Sequence, residues 1–139
     1  MYRYDYHHRV RYRECDRMGV VYHTHYVDYF EAARTEALRE MGLAYKSLED
    51  SGIIMPVVDL SVRYRRPARY DDELVITSMF DAVPSSRVNI GYEVRRKNEK
   101  TTLVTGEVTL CFVDQQRNRP VAAPGHVREL FEVALKNSQ

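Results

Sequence analysis

From Tyr4 to Tyr12 the residues alternate: Tyr4, Tyr6, His8, Val10 and Tyr12 fall on one face and Asp5, His7, Arg9 and Arg11 on the other, the period of a β-strand. Beyond a loop around Gly19 the period lengthens. Val27, Phe30, Ala33, Ala37, Leu38 and Met41 recur at helical spacing, with Thr24 as the N-cap and Gly42 as the C-terminal stop. A short second helix is expected over Leu43 to Asp50, ended by Ser51-Gly52. From Pro56 the period returns to two: Val58, Leu60, Val62 and Tyr64 oppose Asp59, Ser61, Arg63 and Arg65, until Pro67 ends the run. Leu74 to Val83 is apolar on both faces, Val88 to Val94 alternates cleanly, and Thr102 to Val113 alternates around Gly106. Pro84-Ser85-Ser86 and Lys97-Asn98-Glu99-Lys100 are the hairpin turns between these strands. Pro124 takes a first helical position, and Val127, Leu130, Phe131, Ala134 and Leu135 give the last helix its buried side.

The order of strand, long helix, four strands in antiparallel succession and terminal helix is an α+β layout, with no linker, repeat or low-complexity segment. One domain is expected over residues 1–139. A sheet with one apolar face needs a cover, so the five strands are expected to curve around the long helix. The exposed edge of such a sheet invites a second copy.

Composition narrows the partners. Apolar residues make up 44% of the chain and charged residues 29%, with a formal net charge of +1, so nothing global draws it to nucleic acid or membrane. There is no RNP1-like run, no apolar stretch approaching a membrane span and no apolar leader, and Cys15 and Cys111 do not make a disulfide framework. The expectations are a cytoplasmic address, no stable membrane insertion and no nucleic-acid partner. His7, His8, His23 and His25 match no zinc spacing, so neither metal nor cofactor is expected. An anionic ligand must be met locally, by Arg63, Arg65, Arg66 and Arg69 or by Arg95, Arg96, Lys97 and Lys100.

The stretch that carries chemistry is Cys15 to Tyr26, which runs straight into the long helix. A carboxylate ahead of a helix start can lie beside backbone N–H groups that no helical carbonyl satisfies, where partial positive charge gathers. That pairing suits attack on a carbonyl. On the residues alone Asp16 reads first as an Asx-turn residue before Gly19, and Cys15 as a small half-buried residue rather than a nucleophile.

The pattern Asp16, two residues, Gly19-Val20-Val21-Tyr22-His23, two residues and Tyr26, followed by Phe30-Glu31-Ala32-Ala33-Arg34-Thr35-Glu36, resembles the hotdog-fold acyl-CoA thioesterases. The similar group is that of 4-hydroxybenzoyl-CoA thioesterase, which includes the Tol-Pal-associated acyl-CoA thioesterases. A second block, Tyr64 to Leu74, resembles the family's second strand and its exit. Two departures stand out: Glu14-Cys15-Asp16 where many relatives carry Asp-Thr-Asp, and His25 where they carry Asn.

The resemblance implies a five-stranded antiparallel hotdog sheet wrapped around a central helix, and hydrolysis of an acyl-CoA thioester. It implies Asp16 as nucleophile or general base, the His23 backbone N–H as oxyanion donor with its side chain near the attacking water, and Tyr22 beside the acyl group. Arg66 or Arg87 would meet coenzyme A, and a homodimer or homotetramer would complete the site. The other functions that the fold allows are an acyl-thioester dehydratase or hydratase, using His23 for proton transfer, and a non-catalytic acyl-CoA binder.

Overall fold

The computed structural model describes residues 1–138. Five long strands form the main sheet: β1 (Tyr2–Arg9), β3 (Val57–Tyr64), β4 (Glu73–Phe80), β5 (Arg87–Arg96) and β6 (Thr102–Asp114). Two short strands, β2 (Ile53–Ile54) and β7 (Arg119–Val121), pair with the last residues of β6. The helices are α1 (His25–Met41), α2 (Tyr45–Asp50) and α3 (Gly125–Asn137). All pairings are antiparallel, in the order β1-β4-β5-β6-β3. The four later strands are therefore not in simple succession. β3 crosses over to pair with β6, which leaves it on the edge opposite β1.

The five strands and the long helix of the hotdog fold are present; besides the strand order, the differences lie at their ends. The first strand stops at Arg9, because the chain then turns into a short 3-10 segment, Tyr12–Glu14, in which the Glu14 carboxylate accepts the Arg11 N–H. Tyr12 thus leaves the strand face and is 80% exposed. On α1 the buried stripe begins with Tyr26 and Tyr29 rather than Val27, so the tyrosines face the sheet. Gly42 ends the helix at φ 105°, the left-handed conformation that glycine adopts without a Cβ clash. β4 ends at Phe80 rather than Val83, and Pro124 is the N-cap of α3 rather than its first helical residue. The short strands β2 and β7 hold too few residues to show a period.

The core lies between α1 and the inner face of the sheet. Phe30 stacks on Tyr92 of β5, with ring centroids 4.4 Å apart and planes 11° from parallel. Phe131 of α3 closes the far end edge-on to Phe80, at 5.8 Å. β4 is buried on both faces, as its doubly apolar sequence requires. β3 is the opposite case. Seven of its eight residues are exposed, including Val57, Val58, Leu60 and Tyr64, although its sequence alternates like a half-buried strand.

Candidate active site

The loop from Cys15 to Val21 folds back on itself as a narrow two-stranded ladder. The Asp16 N–H donates to Val20 O at 2.9 Å, Cys15 bridges Val21, and the Tyr22 N–H donates to Glu14 O at 2.9 Å. Gly19 at φ 78° makes the turn at its tip. A second loop packs alongside: the Val21 N–H donates to Ala68 O at 2.8 Å and Val20 bridges Arg69. That loop is held from beneath by Asp72, whose Oδ2 accepts the Arg69 N–H and Arg96 Nε, each at 2.8 Å, while Arg96 also donates to Pro67 O at 2.9 Å.

Between the two loops and the start of α1 lies a cleft of about 340 Å³, lined by Asp16, Val20, Val21, Tyr22, His23, Tyr26, Tyr64, Arg65, Arg66 and Pro67. The Asp16 carboxylate is half-buried there. Its Oδ1 accepts the Met18 N–H at 2.8 Å, which is an Asx turn, and Oδ2 has no hydrogen-bond partner among the described residues. One oxygen thus fixes the carboxylate's direction, as the Asx-turn reading expects, while the other meets no protein donor among the described residues.

At the helix start the His25 N–H is taken by Tyr22 O at 3.0 Å and the Val27 N–H by Thr24 O at 3.2 Å. The N–H groups of His23 and Thr24 have no acceptor among the described residues. Thr24 occupies the N-cap position, but its side chain makes no capping hydrogen bond. The peptide that follows His23 is fixed from the other side, because the Tyr64 hydroxyl donates to His23 O at 3.0 Å. Tyr64 comes from the end of β3, and its ring meets those of Tyr26 at 5.6 Å and His23 at 6.1 Å edge-on. Burial raises the hydroxyl pKa of both Tyr26 and Tyr64, so both remain protonated near neutral pH. Tyr22 is 46% exposed at the mouth, its ring 4.5 Å from that of His23.

Of the residues singled out from the sequence, Asp16, Tyr22, His23 and Arg66 meet in one cleft. Arg87 does not. It begins β5 and lines a separate cavity with Asp81, Ser85, Asn89 and Glu107, so within one protomer it is away from Asp16. The second basic cluster is largely paired: Arg95 lies 3.8 Å from Asp5, Arg96 is held by Asp72, and Lys97 lies 3.5 Å from Glu73. Arg65 and Arg66 have no ion pair among the described residues, which leaves their charge at the cleft. Sequence reasoning missed the roles of Tyr64, Arg96 and Glu14. The visible signals were an aromatic residue at a strand end and a carboxylate two residues before Asp16.

Known proteins resemble this chain over most of its length. Residues 10–131 match the Thioesterase-like superfamily. The chain is similar to the acyl-CoA thioester hydrolase YbgC of Escherichia coli O6:H1, with 34% identity over 125 residues that span 89% of this chain and 92% of the relative. Among solved structures, the DHNA-CoA thioesterase of Staphylococcus aureus superimposes with a TM-score of 0.89 at 27% identity, over 99% of this chain and 95% of that one. The fold is shared as well with a mutant 4-hydroxybenzoyl-CoA thioesterase in complex with 4-hydroxybenzoyl-CoA, at a TM-score of 0.83 and 20% identity, over 94% of this chain and 99% of that one. The chain belongs to the thioesterase-like superfamily and, within it, to the hotdog-fold acyl-CoA thioesterases.

Proposed function

We propose that this chain hydrolyses an acyl-CoA thioester in the cleft beside α1, with Asp16 as the catalytic carboxylate and the His23 N–H as the oxyanion donor. The observation that carries the reading is the division of labour at Asp16: Oδ1 is anchored by the Met18 N–H while Oδ2 has no protein partner among the described residues. A carboxylate so held is preoriented and keeps a lone pair for reaction. As general base, Oδ2 takes a proton from water as the water oxygen bonds to the thioester carbon. As nucleophile, Oδ2 bonds to that carbon itself and water later cleaves the mixed anhydride. In both routes the C–S bond breaks, the electron pair leaves with sulfur, and the products are the acid and coenzyme A.

The carbonyl oxygen gains negative charge as its carbon becomes tetrahedral. The free His23 N–H at a helix start is suited to receive it, and a preformed donor of this kind contributes about 3 kcal/mol to the transition state. Tyr64, by holding His23 O, keeps that turn of backbone from rotating. Tyr22 flanks the acyl group, and Arg65 and Arg66 supply the cations that the phosphates of coenzyme A need. The unpaired edge and exposed apolar residues of β3 support a homodimer built across that strand, with a tetramer as a further level of assembly.

The test is thiol release from acetyl-, hexanoyl- and benzoyl-CoA by the native chain and by Asp16→Asn. Loss of at least about a hundredfold in kcat with acyl-CoA binding retained is expected. Equal rates in the two proteins reject Asp16 as the catalytic carboxylate.

A further inference from the structure

Glu14 is the one buried acidic residue among the described residues, and it does not line the cleft. A carboxylate removed from water is costly unless several donors meet it. Here three converge on Oε1: the Arg11 N–H at 2.8 Å, His8 Nε2 at 2.9 Å and the Tyr29 hydroxyl at 3.0 Å. Pairing with an ionised carboxylate puts a proton on His8 Nε2. The His8 and Tyr29 rings also pack on each other, at 4.4 Å. One oxygen thus joins β1, the 3-10 segment and α1.

The backbone of the same residue leads to the cleft. Glu14 O accepts the Tyr22 N–H, and the next rungs of the ladder are the Cys15–Val21 bridge and the bond from Asp16 N–H to Val20 O. One strand of this ladder carries Asp16 and the other runs on to His23. The Glu14 side chain is the point at which the ladder is fastened to β1 and α1.

We propose that Glu14 is a positioning residue for thioester hydrolysis, its buried carboxylate setting the Asp16 side chain and the His23 N–H at their working separation through the ladder that joins them. The inference rests on the hydrolase reading above. It is separable from that reading because Glu14 touches neither the cleft nor the reacting atoms. Reactions between two preset groups are sensitive to displacement: a shift of about 1 Å costs on the order of a hundredfold in rate, so a partly loosened ladder lowers kcat while leaving substrate binding in place.

Glu14→Gln keeps the size and an acceptor oxygen but removes the charge that holds three donors together; Tyr29→Phe removes one donor and nothing else. With the full chain and the acyl-CoA it cleaves fastest, kcat falls about tenfold in Glu14→Gln and less in Tyr29→Phe, with KM within about twofold of the native value. Hydrogen exchange at the Asp16 and Tyr22 amides accelerates in both variants while the amides of β5 stay protected. Native kcat in both folded variants overturns the proposal, as does a fall in kcat without faster exchange at those two amides. If Glu14→Gln fails to fold, Tyr29→Phe decides by the same two readouts. Activity lost in Asp16→Asn but unchanged in both Glu14→Gln and Tyr29→Phe removes this inference alone, whereas a native chain that releases no thiol, or is indifferent to Asp16→Asn, removes the hydrolase reading and this inference with it.

Discussion

The ring of Phe30 on α1 fills the space that a Cβ at Gly106 on β6 would need: such an atom would stand 2.6 Å from the ring's Cζ. Gly106 has an ordinary strand conformation, so its lack of a side chain serves close approach rather than backbone freedom. The helix can lie against the sheet at this point only because the sheet is bare there.

Gly106→Ala should therefore destabilise the fold by overpacking. Phe30 is fully buried and stacked on Tyr92, so the ring has no easy way to yield. The expected cost is about 1–3 kcal/mol, read as a Tm lower by several degrees. A second substitution, Phe30→Leu, should cost less on the alanine background than on the native one, giving a coupling energy of opposite sign to the destabilisation. Strict additivity of the two would reject the steric account.

Tyr64→Phe removes the hydroxyl that holds His23 O and leaves the ring contacts in place. Since Tyr64 is half exposed, stability should change by no more than about 0.5 kcal/mol. Catalysis should suffer more, because the freed backbone at the helix start no longer presents a fixed donor. A fall of about fivefold to tenfold in kcat is expected, matching one lost hydrogen bond of about 1 kcal/mol. Equal kcat in the two proteins would mean that Tyr64 only packs.

What could be read from the sequence divides along a physical line. Elements with their own period were legible: α1, α3, β1, β5 and β6 show in alternation or helical spacing because each turns one face to the core, whereas β4 shows as a doubly apolar run and β3 alternates although it is largely exposed. The crossing of β3 to β6 was not legible, since pairing between Leu60 and Val108 depends on register across intervening strands. The local motif singled out Asp16, Tyr22 and His23, which line one cleft. Tyr64 bonds a residue 41 positions away, Tyr29 reaches Glu14 across 15 and Arg96 reaches Asp72 across 24, so their roles arise only when the chain has folded. Arg87 was singled out by its charge and its place after the Ser85-Ser86 turn, and within one protomer it lines a cavity apart from the cleft.

β3 alternates in sequence yet is exposed along most of its length, and the dimer proposed above would cover it. Leu60→Asp should place a charge in that shared surface and shift the protein to monomer, measured by sedimentation or light scattering. Thiol-release activity per protomer should then depend on protein concentration. A monomeric native chain, or an unchanged mass for Leu60→Asp, would reject β3 as the subunit contact.

The Glu14 carboxyl gives stability a defined dependence on pH. Burial alone would push its pKa up, but the Arg11 N–H, the His8 imidazole and the Tyr29 hydroxyl outweigh burial and hold it below the usual glutamate range. The unfolded chain then binds a proton at a higher pH than the folded chain does. Stability from this group is complete above the ordinary glutamate value of about 4.3 and is lost as pH falls through that value toward the folded one. Glu14→Gln has no proton to take up. The Tm of the native chain should therefore exceed that of Glu14→Gln most at about pH 6, and the gap should narrow as pH falls below about 4. Subtracting the variant cancels the other carboxylates, which titrate in both proteins. A gap of constant size down to about pH 3 would mean that the ionised form of Glu14 is not what its three donors hold.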